Sequence, residues 1–186
     1  MGALSGDKPS WVTDCESRFA GALREVKCIR GNEYEIFIQE GSLRAIIEFL
    51  KTRSNGSFEH LADLTAYDEH PKTPRFFVIY ELISMQLKLR ARIVVICDDS
   101  TKPSVDTVSD LWGGANWLER ETFDMFGILF RGHPDMRRVL LPDSFVGNPL
   151  RKDFVVDYRQ TFPHSNAAET AFDPFGNTVI QGEEVE

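Results

Sequence analysis

The sequence predicts an α+β fold: a two-layer sandwich whose mixed sheet carries helices mainly on one face, followed by an extended C-terminal arm. Three observations predict it. Segments with an apolar repeat of three to four residues are interspersed with β-branched and aromatic runs, in the order helix, two strands, helix, three strands, two helices. The 186 residues suit one core plus extensions. A chain of that size buries about 70% of its unfolded surface without needing disulfides or metals. Beyond Phe126, Gly127, Gly132, Pro134, Pro142, Gly147 and Pro149 interrupt any period. The division expected is an α+β domain over 1–126, then an arm and acidic tail over 127–186.

Residues 10–24 read as a helix, with Ser10 as N-cap and Trp11, Cys15, Phe19 and Leu23 along one stripe. Segments 26–29 and 34–38 read as strands of a hairpin around Gly31 and Asn32. Ser42 opens a second amphipathic helix, LRAIIEFLK, which stops before Asn55 and Gly56. The runs 58–65, 75–84 and 88–97 have the β-branched and aromatic content of strands on a covered sheet. Pro71, Lys72 and Pro74 mark an exposed turn between the first two. Ser104 caps a short helix through Leu111, Gly113 and Gly114 break it, and Asn116 caps a last helix ending near Phe126.

Composition removes several function classes. A formal net charge of −8 argues against a nucleic-acid surface and against adsorption to anionic lipid. The imbalance is local: 119–153 holds six acids and six bases, whereas six acids from Val155 onward face Arg159 alone. Cys15, Cys28 and Cys97 are far apart and form no C-x-x-C pair, so they read as thiols in a reducing compartment. The N-terminus has no basic or apolar signal region and is not rich in Arg and Ser like a transit peptide. The longest wholly apolar run, 93–97, is far short of the ~20 residues a membrane helix needs. A soluble, cytoplasmic chain is expected.

The most informative stretch is 119–140, ERETFDMFGILFRGHPDMRRVL, followed by LLPDSFVGNPLRKDF over 140–154. On a helical wheel Trp117, Arg120, Glu121 and Asp124 share one face, with Arg120 and Asp124 placed for an i,i+4 pair. Glu119 falls among aromatics and must find a cation or hydrogen bonds, because burying a lone carboxylate is prohibitive. Arg137, Arg138 and Arg151 are the nearest bidentate partners. A partly buried surface helix with scattered ion pairs would read the same way. The arm argues for more: Phe130, Met136, Val139, Leu140, Leu141, Phe145, Leu150 and Phe154 are too apolar for disorder. Such an arm must lie on its own sheet or on another protein.

Glu119, Glu121, Asp124, His133 and Asp135 could in principle do acid–base chemistry. However, His133 before Pro134 reads first as a turn residue fixed by hydrogen bonds. No H-x-x-x-H, phosphate loop, dinucleotide fingerprint or nucleophile elbow occurs. Arg151 and Lys152 could hold an anion, but Asp153 half-cancels them.

The segment E-R-E-T-F-D-M-F at 119–126, His133, Arg137 and Val139 with Leu140 after it, L-P-D at 141–143 and G-N-P-L-R-K-D-F at 147–154 together resemble the 30-kDa subunit family of respiratory complex I. This family includes the C subunit of bacterial proton-pumping NADH–quinone oxidoreductase. The likeness covers roughly 116–154, and Asn148 stands where the family usually has His. It implies a cofactor-free structural subunit of the peripheral arm, with no catalytic, cofactor-binding or metal-binding residues of its own. FMN and iron–sulfur clusters would then sit on partner subunits. The chain would dock on the 49-kDa quinone-site subunit and reach the membrane only through the complex, at the cytoplasmic face of the bacterial inner membrane rather than the mitochondrial matrix side. Glu119, Arg120, Glu121, Asp124, His133, Pro134, Arg137, Arg138, Arg151, Lys152 and Asp153 would form the docking motif. The alternatives are the equivalent subunit of a photosynthetic, F420-dependent or membrane-hydrogenase complex, and, more remotely, a stand-alone acid/base enzyme using Glu119 and His133.

Overall fold

A computed structural model describes residues 8–31, 33–53 and 57–155, with the backbone of 171–172 and 178–179. Helix α1, Ser10–Arg18, buries Trp11, Val12 and Cys15. It ends at Arg18, not at residue 24, because Phe19 leaves helical geometry (φ −121°). Ala22 N and Leu23 N then donate to Phe19 O, turning the chain into strand β1, Leu23–Arg30. Leu23 therefore pairs with Ile38 in the sheet instead of closing the helical stripe. Ser10 is the first helical residue and Pro9 holds the cap position without a side-chain bond, as a fixed φ of −55° allows.

Strand β2, Glu33–Gln39, alternates buried Tyr34, Ile36 and Ile38 with half-exposed neighbours. A 3-10 turn, Glu40–Ser42, leads into helix α2, Leu43–Thr52. Its Leu43, Ile46, Ile47 and Leu50 follow the i, i+3, i+4, i+7 pattern and are fully buried. Ser42 makes no side-chain cap bond. Strands β3, His60–Asp68, β4, Phe76–Ser84, and β5, Leu89–Ile96, complete a five-stranded sheet in the order β1-β2-β5-β4-β3. Every pairing is antiparallel except β2 with β5. That parallel pair requires a long crossover, which α2, β3 and β4 supply. Ile36, Ile38, Val78, Tyr80, Leu82, Ile93 and Val95 share one core with the buried residues of α1 and α2. This is the expected sandwich.

The segment expected as a helix from Ser104 to Leu111 is instead strand β6, Ser104–Asp106, and a tight turn in which Leu111 N and Trp112 N both donate to Val108 O. Its partner is a second departure from expectation. Strand β7, Leu129–Arg131, lies beyond Phe126 and pairs with β6 in parallel. Burial of Val105 and Phe130 drives both, since apolar surface removed from water offsets the cost of fixing extended backbone. Between them runs helix α3, Ala115–Phe126, with Gly114 rather than Asn116 at its N-cap position. Gly127, at φ +71°, ends it with a left-handed residue whose N–H bonds Phe123 O at 2.8 Å.

The arm as far as residue 155 belongs to the same compact unit as the sheet. The expected turn residues Asn32, Asn55 and Gly56 lie outside the described residues. So does the acidic tail, apart from the backbone of β8, Ala171–Phe172, and β9, Thr178–Val179, which pair antiparallel.

Candidate functional site

The arm is seated on α3 by that helix's own carboxylate. Asp124 is fully buried, and its Oδ2 accepts from the backbone N–H groups of Val139, Leu140 and Leu141 at 3.1, 2.9 and 2.9 Å. Its Oδ1 accepts from Arg138 Nη1 at 2.5 Å. Burial alone would raise this carboxyl, but the three amides and the guanidinium outweigh it and hold it below the usual carboxylate range. The expected Arg120–Asp124 pair does not form. Arg120 reaches the arm separately, donating to Arg137 O at 3.0 Å and Arg138 O at 3.3 Å while stacking on Trp117.

The C-terminal end of α3 is capped by the same arm. Asn148 Nδ2 donates to Phe123 O and Asp124 O, and Arg151 Nε to Phe126 O at 2.6 Å, so carbonyls that a helix end leaves orphaned are met from the loop. Gly127 fits beneath them only because it lacks a Cβ, which would fall 2.5 Å from Asn148 Oδ1. Further along, Arg75 on β4's approach bridges Asp68 and Asp153, and Asp68 Oδ2 also accepts from Lys152 N at 2.9 Å. Arg75 and Arg151 both lie over the Phe76 ring. The arm thus has two anchors, one on α3 and one where β3 meets β4.

Glu119 departs from expectation. No arginine of the arm reaches it: Arg137 forks onto Asp135 at 2.7 Å, and Arg138 and Arg151 are engaged as above. Its carboxylate is fully buried, accepting from Thr107 Oγ1 at 2.5 Å and Val108 N at 2.7 Å. Burial pushes its pKa up to about 7 against those two bonds. His133 is a turn residue as expected, its N–H on Phe130 O and its Nδ1 accepting from Asp135 N at 3.0 Å. The His133 Nε2 lies 3.9 Å from Glu119 Oε2, with both side chains wholly inaccessible. Glu121 is exposed on α3, and Pro134 lines a cleft of about 580 Å³ with Thr107, Ser109 and Gly132. Among the described residues no group of three His, Cys, Asp or Glu side chains could hold a metal ion.

While Arg138, Asn148 and Arg151 reach inward to α3, several apolar side chains beside them face water. Leu140, Leu150 and Val155 are 59%, 53% and 66% exposed, and Trp117 on α3 is 61% exposed. Sequence reasoning missed Thr107 and Val108, which serve Glu119, and Asp68 with Arg75, which clamp the arm's end. Their distance along the chain helped to hide them, since no local period links residues that far apart.

The family model for the respiratory-chain NADH dehydrogenase 30-kDa subunit matches residues 36–160. The C subunit of NADH-quinone oxidoreductase from Geotalea uraniireducens (strain Rf4) is 40% identical over 143 residues, covering 77% of this chain and 85% of that protein. The second C-type subunit (C 2) of the same enzyme from Rhizobium meliloti (strain 1021) is 38% identical over 151 residues, 81% of each. Among solved structures, a chain of the membrane-bound sulfane sulfur reductase, an archaeal respiratory membrane complex, superposes with a TM-score of 0.66 at 26% identity. That match covers 78% of this chain and 84% of the other. The helix that offers Asp124 to the arm, and the arm that answers it, both lie within the matched span, and this chain belongs to the 30-kDa subunit family of the respiratory-chain NADH dehydrogenase.

Proposed function

We propose that this chain is a structural subunit of the peripheral arm of a proton-translocating NADH:quinone oxidoreductase, that it docks on the 49-kDa quinone-site subunit, and that it carries no electrons itself. The flavin and iron–sulfur clusters would belong to partner subunits, and the chain would meet the cytoplasmic face of the membrane only through the complex. One observation carries the reading. The arm is rigidly held from within by Asp124, Arg138 and Asn148, yet it presents Leu140, Leu150 and Val155 outward. An ordered segment that holds apolar side chains in water has the make-up of an interface core, because covering them recovers about 25 cal/mol per Å². The family's relatives are named as subunits of a multi-subunit oxidoreductase, which fits. Among the described residues no helix is long and apolar enough to cross a membrane, consistent with peripheral attachment.

A second reading keeps the role and changes the machine. The likeness to a chain of a sulfane sulfur reductase supports a place in a respiratory complex with another electron partner. One experiment addresses both. Leu140→Ser with Leu150→Ser should leave the isolated chain as stable as the parent while reducing its recovery with the 49-kDa subunit from detergent-solubilised membranes. Undiminished recovery of that subunit would refute the docking surface, and the identity of the other recovered subunits names the donor.

A further inference from the structure

Beneath the cleft beside Pro134 lies a buried polar assembly that docking does not use. Ser109 Oγ and Thr107 Oγ1 are 2.8 Å apart on the cleft wall, and Thr107 Oγ1 continues inward to Glu119 Oε2 at 2.5 Å. Glu119 Oε1 is occupied by Val108 N, and Thr107 Oγ1 also accepts from Ser109 N at 3.1 Å. On the far side, His133 Nδ1 accepts from Asp135 N, so the neutral ring carries its proton on Nε2. That Nε2 is buried, has no hydrogen-bond partner, and stands 3.9 Å from the same Oε2. Tyr80 Oη is likewise buried without a partner.

Among the described residues these contacts hold one Glu119 oxygen on an amide and join the other to a pair of hydroxyls that reaches the cleft wall. We propose that Glu119 is a proton-binding site, protonated on Oε2, and that the Thr107 and Ser109 hydroxyls exchange its proton with the cleft. With the carboxylate ionised, Ser109 O–H donates to Thr107 and Thr107 O–H donates to Glu119. An incoming proton binds Ser109 Oγ, the Ser109 proton passes to Thr107, and the Thr107 proton passes to Oε2. Each hydroxyl gains one proton and yields one, so the chain of hydrogen bonds reverses and Ser109 now points its O–H into the cleft. Oε1 takes no part because the Val108 amide holds it in either state.

The surroundings suit a group that titrates near neutrality. Charged and titratable neighbours come from several elements: Arg44 from α2, Tyr80 from β4, Asp110 from the turn after β6, and His133 from the arm. Arg44 is largely engaged by Asp110, Glu48 and Thr107 O. Burial is the largest influence on Glu119, placing it about 7. Because the site is built from this chain alone, its test is independent of the docking partner.

The experiment is infrared titration of the full chain with isotope-labelled glutamate. A protonated-carboxyl C=O band should appear on acidification through neutrality and be lost in Glu119→Gln. Thr107→Val removes the Thr107 bond in both states, but the bond to the ionised carboxylate is charge-assisted and the stronger of the two, so the titration should shift to higher pH. Absence of the band across the range, its persistence in Glu119→Gln, or an unmoved titration in Thr107→Val would each overturn the site.

Discussion

Arg138 Nη1 lies 2.5 Å from Asp124 Oδ1, in a pair whose carboxylate is wholly withdrawn from water and whose other oxygen gathers three successive backbone amides of the arm. The charge on Asp124 is thus the nucleus around which residues 138–141 fold back. Replacing Asp124 with Asn keeps the shape but turns an N–H₂ toward donors. The loss is expected to be about 3–5 kcal/mol, the usual cost of breaking a buried charged pair from one side. Urea unfolding measures it. Amide exchange at Val139, Leu140 and Leu141 should accelerate in the same variant, and unchanged protection there would remove Asp124 from its role.

Gly127 tests the second point of contact. At φ +71° a side chain is strained, and a Cβ would meet Asn148 Oδ1 at 2.5 Å and Arg151 Nη2 at 2.6 Å. Gly127→Ala should cost about 2 kcal/mol or more, read as a lower urea midpoint, by combining left-handed strain with displacement of two capping side chains. An Asn148→Ala change in the same background should then cost little, because the cap is already lost.

The fold is legible in the sequence where burial is periodic. Leu43, Ile46, Ile47 and Leu50 announce α2, and the β-branched runs announce β4 and β5. Apolar spacing overextends the first helix because Leu23 continues it, although pairing with Ile38 decides that residue's conformation. The segment from Ser104 misleads because Ser104 resembles a cap, whereas parallel pairing of Val105 with Phe130 sets its backbone. At the site, the anomaly of a carboxylate at Glu119 is visible on a helical wheel, but its partners are not. Thr107 and Val108 have no charge to advertise them, so the nearby arginines are the natural and mistaken choice. Likewise Asp124 faces Arg120 in the helical pattern, while the fold gives it to Arg138.

The anchor near β3 makes a contrast prediction. Arg75 is 12% exposed in its side chain and faces Asp68 at 1%, whereas Asp153 is 46% exposed. Arg75→Leu leaves a buried carboxylate without its guanidinium and should cost about 3 kcal/mol or more. Asp153→Ala removes only the outer member and should cost about 1 kcal/mol or less. Chemical denaturation of both variants checks the order, and equal losses would show that the outer pair matters as much as the inner one.

Stability should also depend on pH in a way that separates Glu119 from the arm carboxylates. Folding raises Glu119 from 4.5 to about 7. Between those values the folded chain keeps a proton that the unfolded chain has released, so stability falls as pH rises through the window and levels off above it. The full effect is about 3 kcal/mol, taking roughly 1.4 kcal/mol per unit. Asp124 and Asp68 act oppositely, being held low in the folded state by their amide and arginine partners despite burial. Their contribution is present above the ordinary carboxylate range and lost as pH falls below it. Glu119→Gln isolates the first effect, since the amide imitates the protonated acid: its Oε1 can accept from Val108 and its N–H₂ can donate to Thr107. The urea midpoint of the variant should match the parent near pH 5 and exceed it near pH 8, with the gap opening through neutrality. A parent and variant that run parallel across that range would mean Glu119 is ionised throughout.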